Sequence, residues 1–240
     1  MPRAIPSLLR LVVAFAAFGT FAAARAEDDI VERLAACAVC HGARGEGAPG
    51  SEYYPHLAGK PAGYLLEQLQ GFRDGRRVSP QMTWLVQFMD DDWMRQIAAF
   101  YAAQPPRTRA ADTGAAALTD ILRTRAEALV RQGDANAGVP ACTACHGSDL
   151  AGAEPGVPAL VGLPADYIVA QLGGWREGVR RGVAPDCMAD VANKLTPENI
   201  RAVAVWLSQQ SHEEGRRPAP PGSVVPPVAC GSLPHQGAAP

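Results

Sequence analysis

Cys37-Ala38-Val39-Cys40-His41 returns 105 residues later as Cys142-Thr143-Ala144-Cys145-His146. The likeness extends well beyond the pentapeptide. Pro55-His56-Leu57-Ala58-Gly59-Lys60-Pro61, followed by Tyr64, Gln68-Leu69, Phe72-Arg73 and Gly75, is matched by Pro158-Ala159-Leu160-Val161-Gly162-Leu163-Pro164, followed by Tyr167, Gln171-Leu172, Trp175-Arg176 and Gly178. Met82 then matches Met188, and Ile97-Ala98-Ala99-Phe100 matches Val203-Ala204-Val205-Trp206. The order of landmarks is constant and the offset drifts only between 103 and 106 residues, which small loop insertions explain. Solenoid repeats run at about 20–50 residues and need at least about three copies, so this longer period in two copies marks a duplicated domain.

Apolar positions inside each copy follow a helical period. Leu65, Leu69 and Phe72 stand at i, i+4 and i+7, as do Ile168, Leu172 and Trp175. Trp93, Ile97 and Phe100 predict a closing helix in the first copy, and Ile200, Val203, Ala204 and Leu207 predict one in the second, with Thr196 as N-cap and Pro197 at the first helical position. Ile30 and Leu34 lead into the first cysteine pair; Ile121, Leu122, Leu129 and Val130 predict a longer helix ahead of the second. No stretch alternates like a strand for long. The expected fold class is all-α: two tandem domains of short helices joined by loops that take up the 24 glycines and 21 prolines.

Residues 1–26 read as an export signal. Arg3 and Arg10 flank a short basic start, Leu11 to Ala24 is apolar, and Ala24-Arg25-Ala26 fits a small-x-small cleavage site. The apolar run falls short of the roughly 20 residues of a spanning helix, and no later segment is long and apolar enough, so no transmembrane span is expected in the mature chain. The first domain is expected over 27–104, a linker with Pro105-Pro106 and Gly114 over 105–117, the second domain over 118–210, and a Pro/Gly-rich tail without its own core over 211–240. Loss of 1–26 removes three arginines and no acid, taking the formal charge from −2 to −5. Such a chain lacks the basic face of a nucleic-acid binder. Aromatic residues are 6% of the chain, thin for two cores of about 80–100 residues each, and a large apolar cofactor would fill the deficit.

Six cysteines in an exported chain would ordinarily suggest a disulfide framework. Four of them instead form the c-type haem attachment pattern, two cysteines two residues apart with histidine directly after. Each thiol of Cys37, Cys40, Cys142 and Cys145 is expected to add to a haem vinyl group, which leaves His41 and His146 placed to reach the iron. Two covalent haem c groups are therefore expected. Zinc would need four ligands converging from both copies, and a thioredoxin-like pair would need a βαβ context that is not visible. Met82 and Met188, 41 and 42 residues after their histidines, are the candidates for the sixth iron ligand; a thioether there raises the potential and closes the iron. Met89 and Met94 read as core filling.

Cys187, next to Met188, has two readings: a thiolate ligand on the second iron, or a disulfide with Cys230 that ties the tail to the second domain. Arg73 and Arg176, with Tyr64 and Tyr167, are candidate contacts for haem propionates. Arg76, Arg77, Arg180 and Arg181 lie nearby and read equally well as solvated surface. His56, His212 and His235 have no repeated partner and read as exposed or structural.

The frame Cys-x-x-Cys-His-Gly, Pro-x-Leu-x-Gly, Tyr-x-x-x-Gln-Leu, aromatic-Arg-x-Gly, methionine and closing helix resembles the small class I cytochromes c. In duplicate, over nearly all of residues 30–210, it is similar to the two-haem cytochrome c4 family. That resemblance implies a periplasmic carrier in a Gram-negative bacterium, with its haems near the domain interface. The donor would be a quinol-oxidising complex or a periplasmic dehydrogenase, and the acceptor a terminal oxidase or reductase. Cys187 and the tail with Cys230 depart from the pattern and leave the second haem's surroundings the less certain. A dihaem enzyme, such as a thiosulfate dehydrogenase or peroxidase, would show a non-methionine ligand in one copy; a cytochrome subunit of a dehydrogenase complex would use the tail for attachment. Methionine in both copies favours the carrier, and the apoprotein is expected to be largely unfolded, since a group bound only by the native state stabilises it.

Overall fold

The computed structural model describes residues 29–48, 54–106, 117–211 and 215–233; these include a helical stretch over 29–33 and the nine helices below, with only isolated β-bridges among the described residues. The leader, most of the linker, His212 and His235 lie outside the described residues. The first copy contributes α1 (Ala35–His41), α2 (Ala62–Arg73), α3 (Pro80–Val86) and α4 (Asp91–Ala103). The second contributes α5 (Asp120–Arg131), α6 (Thr143–His146), α7 (Ala165–Arg176), α8 (Cys187–Lys194) and α9 (Pro197–Ser208). Packing repeats with the sequence: α2 lies on α3 and α4, and α7 on α8 and α9, with α5 added against α9.

Local sequence explains where these helices begin. Ser79, Asp90, Thr119, Asp186 and Thr196 each accept a backbone N–H from the first turn of the helix they precede, each bond worth about 1 kcal/mol. Buried apolar side chains stay within their own copy. Leu34, Leu65 and Ile97 centre one cluster in the first copy, with Phe72, Val86 and Met94 beside it, while Leu129, Ile168, Val203 and Leu207 belong to a single larger cluster in the second. Met94 is fully buried and Met89 packs against both first-copy clusters, as core filling.

Two helices turn a different face inward from the one the sequence pattern suggests. In α4 the buried residues are Met94, Ile97, Ala98 and Tyr101, with Trp93 and Phe100 packed at the edges of the cluster and Arg33 stacked 3.6 Å over the Trp93 ring. In α5 the buried face is Ala126, Leu129 and Val130, whereas Ile121 is 80% exposed. Nine positions separate Ile121 from Val130, about two and a half turns, so the two point to opposite sides.

The copies meet through the segments that follow α2 and α7. Gly75 and Gly178 have φ of +71° and +73° and reverse the chain, so that Arg77 N–H donates to Gly71 O and Arg180 N–H to Gly174 O, both at 2.9 Å. Arg77 and Arg180 then pair in an antiparallel bridge. Val78 N–H donates to Val179 O and Arg181 N–H to Arg76 O, two bonds that exchange under a local two-fold axis.

The tail runs across both copies. Arg217 donates to Ala102 O and Ala103 O at the end of α4, and Ala219 pairs with Ala153 of the second copy. Cys230 is disulfide-bonded to Cys187 with Cα atoms 5.1 Å apart, and the Ser232 hydroxyl donates to Glu67 of α2 at 2.7 Å.

Candidate functional site: two haem pockets

Each cysteine pair sits on a short helix ending in a buried histidine. His41 is 9% and His146 7% exposed. The two rings are held alike: His41 Nδ1 lies 2.9 Å from Pro55 O and His146 Nδ1 2.8 Å from Pro158 O. A carbonyl only accepts, so Nδ1 must carry the proton in both, which leaves the Nε2 lone pair for a metal. Burial, outweighing the bond to Pro55, lowers the His41 pKa, and burial lowers that of His146, so both rings stay neutral as a ligand must.

None of the four attachment cysteines is in a disulfide. Burial pushes the Cys142 thiol up to about 11 and also raises Cys37 and Cys145. Redox-active pairs need the opposite, a stabilised thiolate, so these pairs are unsuited to disulfide exchange.

In the second copy Cys142, Cys145, His146 and Met188 line one cavity of about 180 Å³ that is partly open to solvent. Its wall is apolar, with Leu129, Ile168 and Leu172 among the lining residues. One polar atom in the wall is unspent: the Trp175 indole N–H is buried without an acceptor. A buried donor without a partner is costly, and a cofactor carboxylate is a fitting acceptor. Two thiols, a neutral histidine, a thioether and an orphaned donor around an apolar cavity are the donor set a covalent haem requires. Met188 enters from the first turn of α8, which Asp186 caps; Met82 enters from the first turn of α3, its own N–H donating to Ser79 Oγ at 3.4 Å. Cys187, engaged with Cys230, is no thiolate.

The candidate propionate contacts divide. Arg73 donates to Asp74 and Asp91 at 2.9 and 2.7 Å and to Met89 O, and Arg176 donates to Leu195 O. Both end their helices and so clamp the loop before the closing helix, away from the inter-copy seam. The pair at the seam is Arg77 and Arg180, for which the sequence left propionate pairing and solvated surface equally open. Arg77 reaches Gln68 of its own copy at 3.0 Å and Gln171 of the other at 2.8 Å; Arg180 reaches Gln171 at 2.7 Å and, across, Gln68 at 3.2 Å and Tyr64 Oη at 3.3 Å. Arg77 also bonds Tyr167. Each guanidinium lies on an aromatic ring of its own copy, 4.7 Å from the Phe72 centroid and 3.8 Å from Trp175. Burial alone would raise the Tyr64 pKa, but Arg180, Arg77 and Lys60 outweigh it and bring it down to about 8. At Tyr167 burial prevails and the pKa rises. The paired Gly-Arg spacing after each α2-type helix was the one sequence signal that marked these arginines.

Duplicated all-helical frames, each carrying a Cys-x-x-Cys-His turn with a buried histidine held by a proline carbonyl, and the second opening on an apolar cavity, define a c-type cytochrome with two centres. A family model for cytochrome c matches residues 31–124. The thiosulfate dehydrogenase electron acceptor of Thiomonas intermedia is 37% identical over 206 residues, covering 84% of this chain and 92% of that protein. Cytochrome c4 of Pseudomonas aeruginosa is 36% identical over 178 residues, 73% of this chain and 84% of its own. The reduced recombinant cytochrome c4 from Pseudomonas stutzeri matches in structure with a TM-score of 0.63 and 31% identity, covering 75% of this chain and 95% of that one. The chain belongs to the cytochrome c4-like family of dihaem class I cytochromes c. It is an electron carrier with two covalently bound haem c groups, and among its described residues no helix is long and apolar enough to cross a membrane.

Proposed function

We propose that the protein is a periplasmic shuttle, not itself an enzyme, that takes single electrons from an exported dehydrogenase and delivers them to a terminal oxidase or reductase. Export follows from the leader-like residues 1–26 and the disulfide. We assign Cys37, Cys40 and His41 with Met82 to the first haem, and Cys142, Cys145 and His146 with Met188 to the second. The observation that carries the second assignment is the cavity lined by Cys142, Cys145, His146 and Met188; the first is supported by the matched residues and by His41 being held to Pro55 O as His146 is to Pro158 O. When bound, haem iron supplies one-electron exchange between the ferrous and ferric states. The cysteines would fix the cofactor, Pro55 and Pro158 orient the histidines, the apolar walls exclude water, and Arg77, Arg180, Tyr64 and Tyr167 would be the donors at the seam available to its carboxylates.

A thiosulfate-oxidising dehydrogenase is the donor favoured here, because a relative matched over 92% of its length is named as that enzyme's electron acceptor. The test is to add thiosulfate to the oxidised holoprotein, alone and with catalytic amounts of a thiosulfate dehydrogenase, and follow the ferrous α band. Reduction only when the dehydrogenase is present is expected. Turnover by thiosulfate alone would make this protein the enzyme, and reduction in neither case would remove this donor.

A further inference from the structure

The two half-sites match at the seam in their tyrosines, glutamines and arginines but differ at two charged positions, Lys60 and Glu67, the latter replaced by Ala170 in the second copy. Tyr64 faces Tyr167, Gln68 faces Gln171 and Arg77 faces Arg180, but the counterpart of Lys60 is Leu163. Both are buried, at 6% exposure each. A buried leucine needs nothing further. A buried ammonium is costly unless an anion meets it, and among the described residues Lys60 makes no ion pair. Arg77 and Arg180 beside it add positive charge. The carboxylate in the neighbourhood, Glu67, is committed to Arg76 at 3.8 Å and to Ser232 at 2.7 Å. Burial foremost, with the two arginines adding to it, lowers the Lys60 pKa, although Tyr64 works the other way.

Position decides which haem this charge serves. Lys60 belongs to the first copy, on the residue before Pro61 and α2, yet it lines the cavity that holds Cys142, His146 and Met188 of the second. We propose that Lys60 is the counter-charge, supplied by the first domain, for a haem carboxylate of the second domain, and that it holds the second haem at a higher potential than the matched frame alone would give. The inference rests on the two-haem reading above. A positive charge favours the reduced state of a nearby iron, and the second-to-first seam has no leucine-for-lysine equivalent to balance it. Electrons are thereby biased toward the second haem, in the domain that also carries the disulfide-anchored tail.

The test is a potentiometric titration of the holoprotein as parent, Lys60→Leu, Lys60→Gln and Lys60→Arg, with Met188→His marking the second haem's wave. A unit charge about 10 Å from a redox centre, at an effective dielectric of about 20, shifts a one-electron equilibrium by roughly tenfold. Lys60→Leu, which copies the residue at Leu163, and Lys60→Gln are expected to move the inter-haem electron distribution away from the second haem by about that factor. Lys60→Arg should keep the parent distribution, and the visible spectra of all three should be unchanged. Unmoved midpoints in both neutral variants, equal falls of the two midpoints, or a loss that arginine fails to restore would each overturn the proposal. A parent lacking two low-spin haems would instead remove the reading on which it rests.

Discussion

The two copies keep the same chemistry in different surroundings. Both present two thiols, a histidine oriented by a proline carbonyl and a methionine near a capped helix start. Around the first, α3 and its following turn leave Trp84 72% and Phe88 93% exposed. Around the second, the equivalent helix begins at a disulfide and the tail adds Val228, Cys230 and Leu233 to the cavity lining. The orphaned Trp175 indole stands where the first copy has Phe72, and Lys60 where the second has Leu163. Duplication retained what holds a cofactor, and the copies differ in what tunes it and what touches it.

The comparison breaks most completely at the attachment cysteines. Cys37→Ala with Cys40→Ala should reduce covalent haem from two per chain to one and unfold the first half alone, and the corresponding Cys142 and Cys145 variant should do the same to the second; haem quantification with limited proteolysis reads both. Met82→Ala or Met188→Ala should leave both haems attached but lower the potential of one and open its iron, seen as a high-spin or exogenous-ligand signal confined to half of the absorbance. An unchanged potential in either variant would strike that methionine from the ligand set.

Smaller effects sharpen the asymmetry. Cys187→Ser with Cys230→Ser opens a 43-residue separation and should cost the second half about 2–4 kcal/mol, with the first half's denaturant midpoint unmoved. The smallest effect belongs to Arg216, which pairs with Asp149 at a half-exposed site. Arg216→Ala should cost at most about 1 kcal/mol. Burial would raise the Asp149 pKa, but the Ala151 N–H and Arg216 outweigh it and hold it below the usual carboxylate value. The pair's contribution is therefore full above about pH 4 and lost as the pH falls through the lowered value, and the variant's stability curve should converge on the parent's in acid.

Much of this was legible in the chain because the decisive residues repeat. The pentapeptides, the matched methionines and the leucine spacing of α2 and α7 state the fold class and the cofactor together. Single-copy features were harder. In α4 the fully buried stripe, Met94, Ile97, Ala98 and Tyr101, lies one position on from Trp93 and Phe100, which pack at the edge of the same cluster, a shift that periodicity does not resolve. Arg73 and Arg176 attract attention by sitting in the repeated aromatic-Arg pair, yet a helix's last residue faces the following loop, and the seam belongs to arginines four positions on, brought back by glycine turns. The tail's disulfide was among the readings of the sequence, but its contacts with the first copy, from Arg217 and Ser232, are hydrogen bonds that no sequence pattern encodes.

The account stands most directly on the state of the two irons. A spectroelectrochemical titration of the purified holoprotein, following the Soret and α bands and the near-infrared band that the class resemblance associates with methionine ligation, tests it in one experiment. Two low-spin haems at positive potentials, both showing the methionine band, are predicted. One haem that is high-spin, or strongly negative without that band, would contradict the carrier and turn the second pocket or the first into a catalytic site.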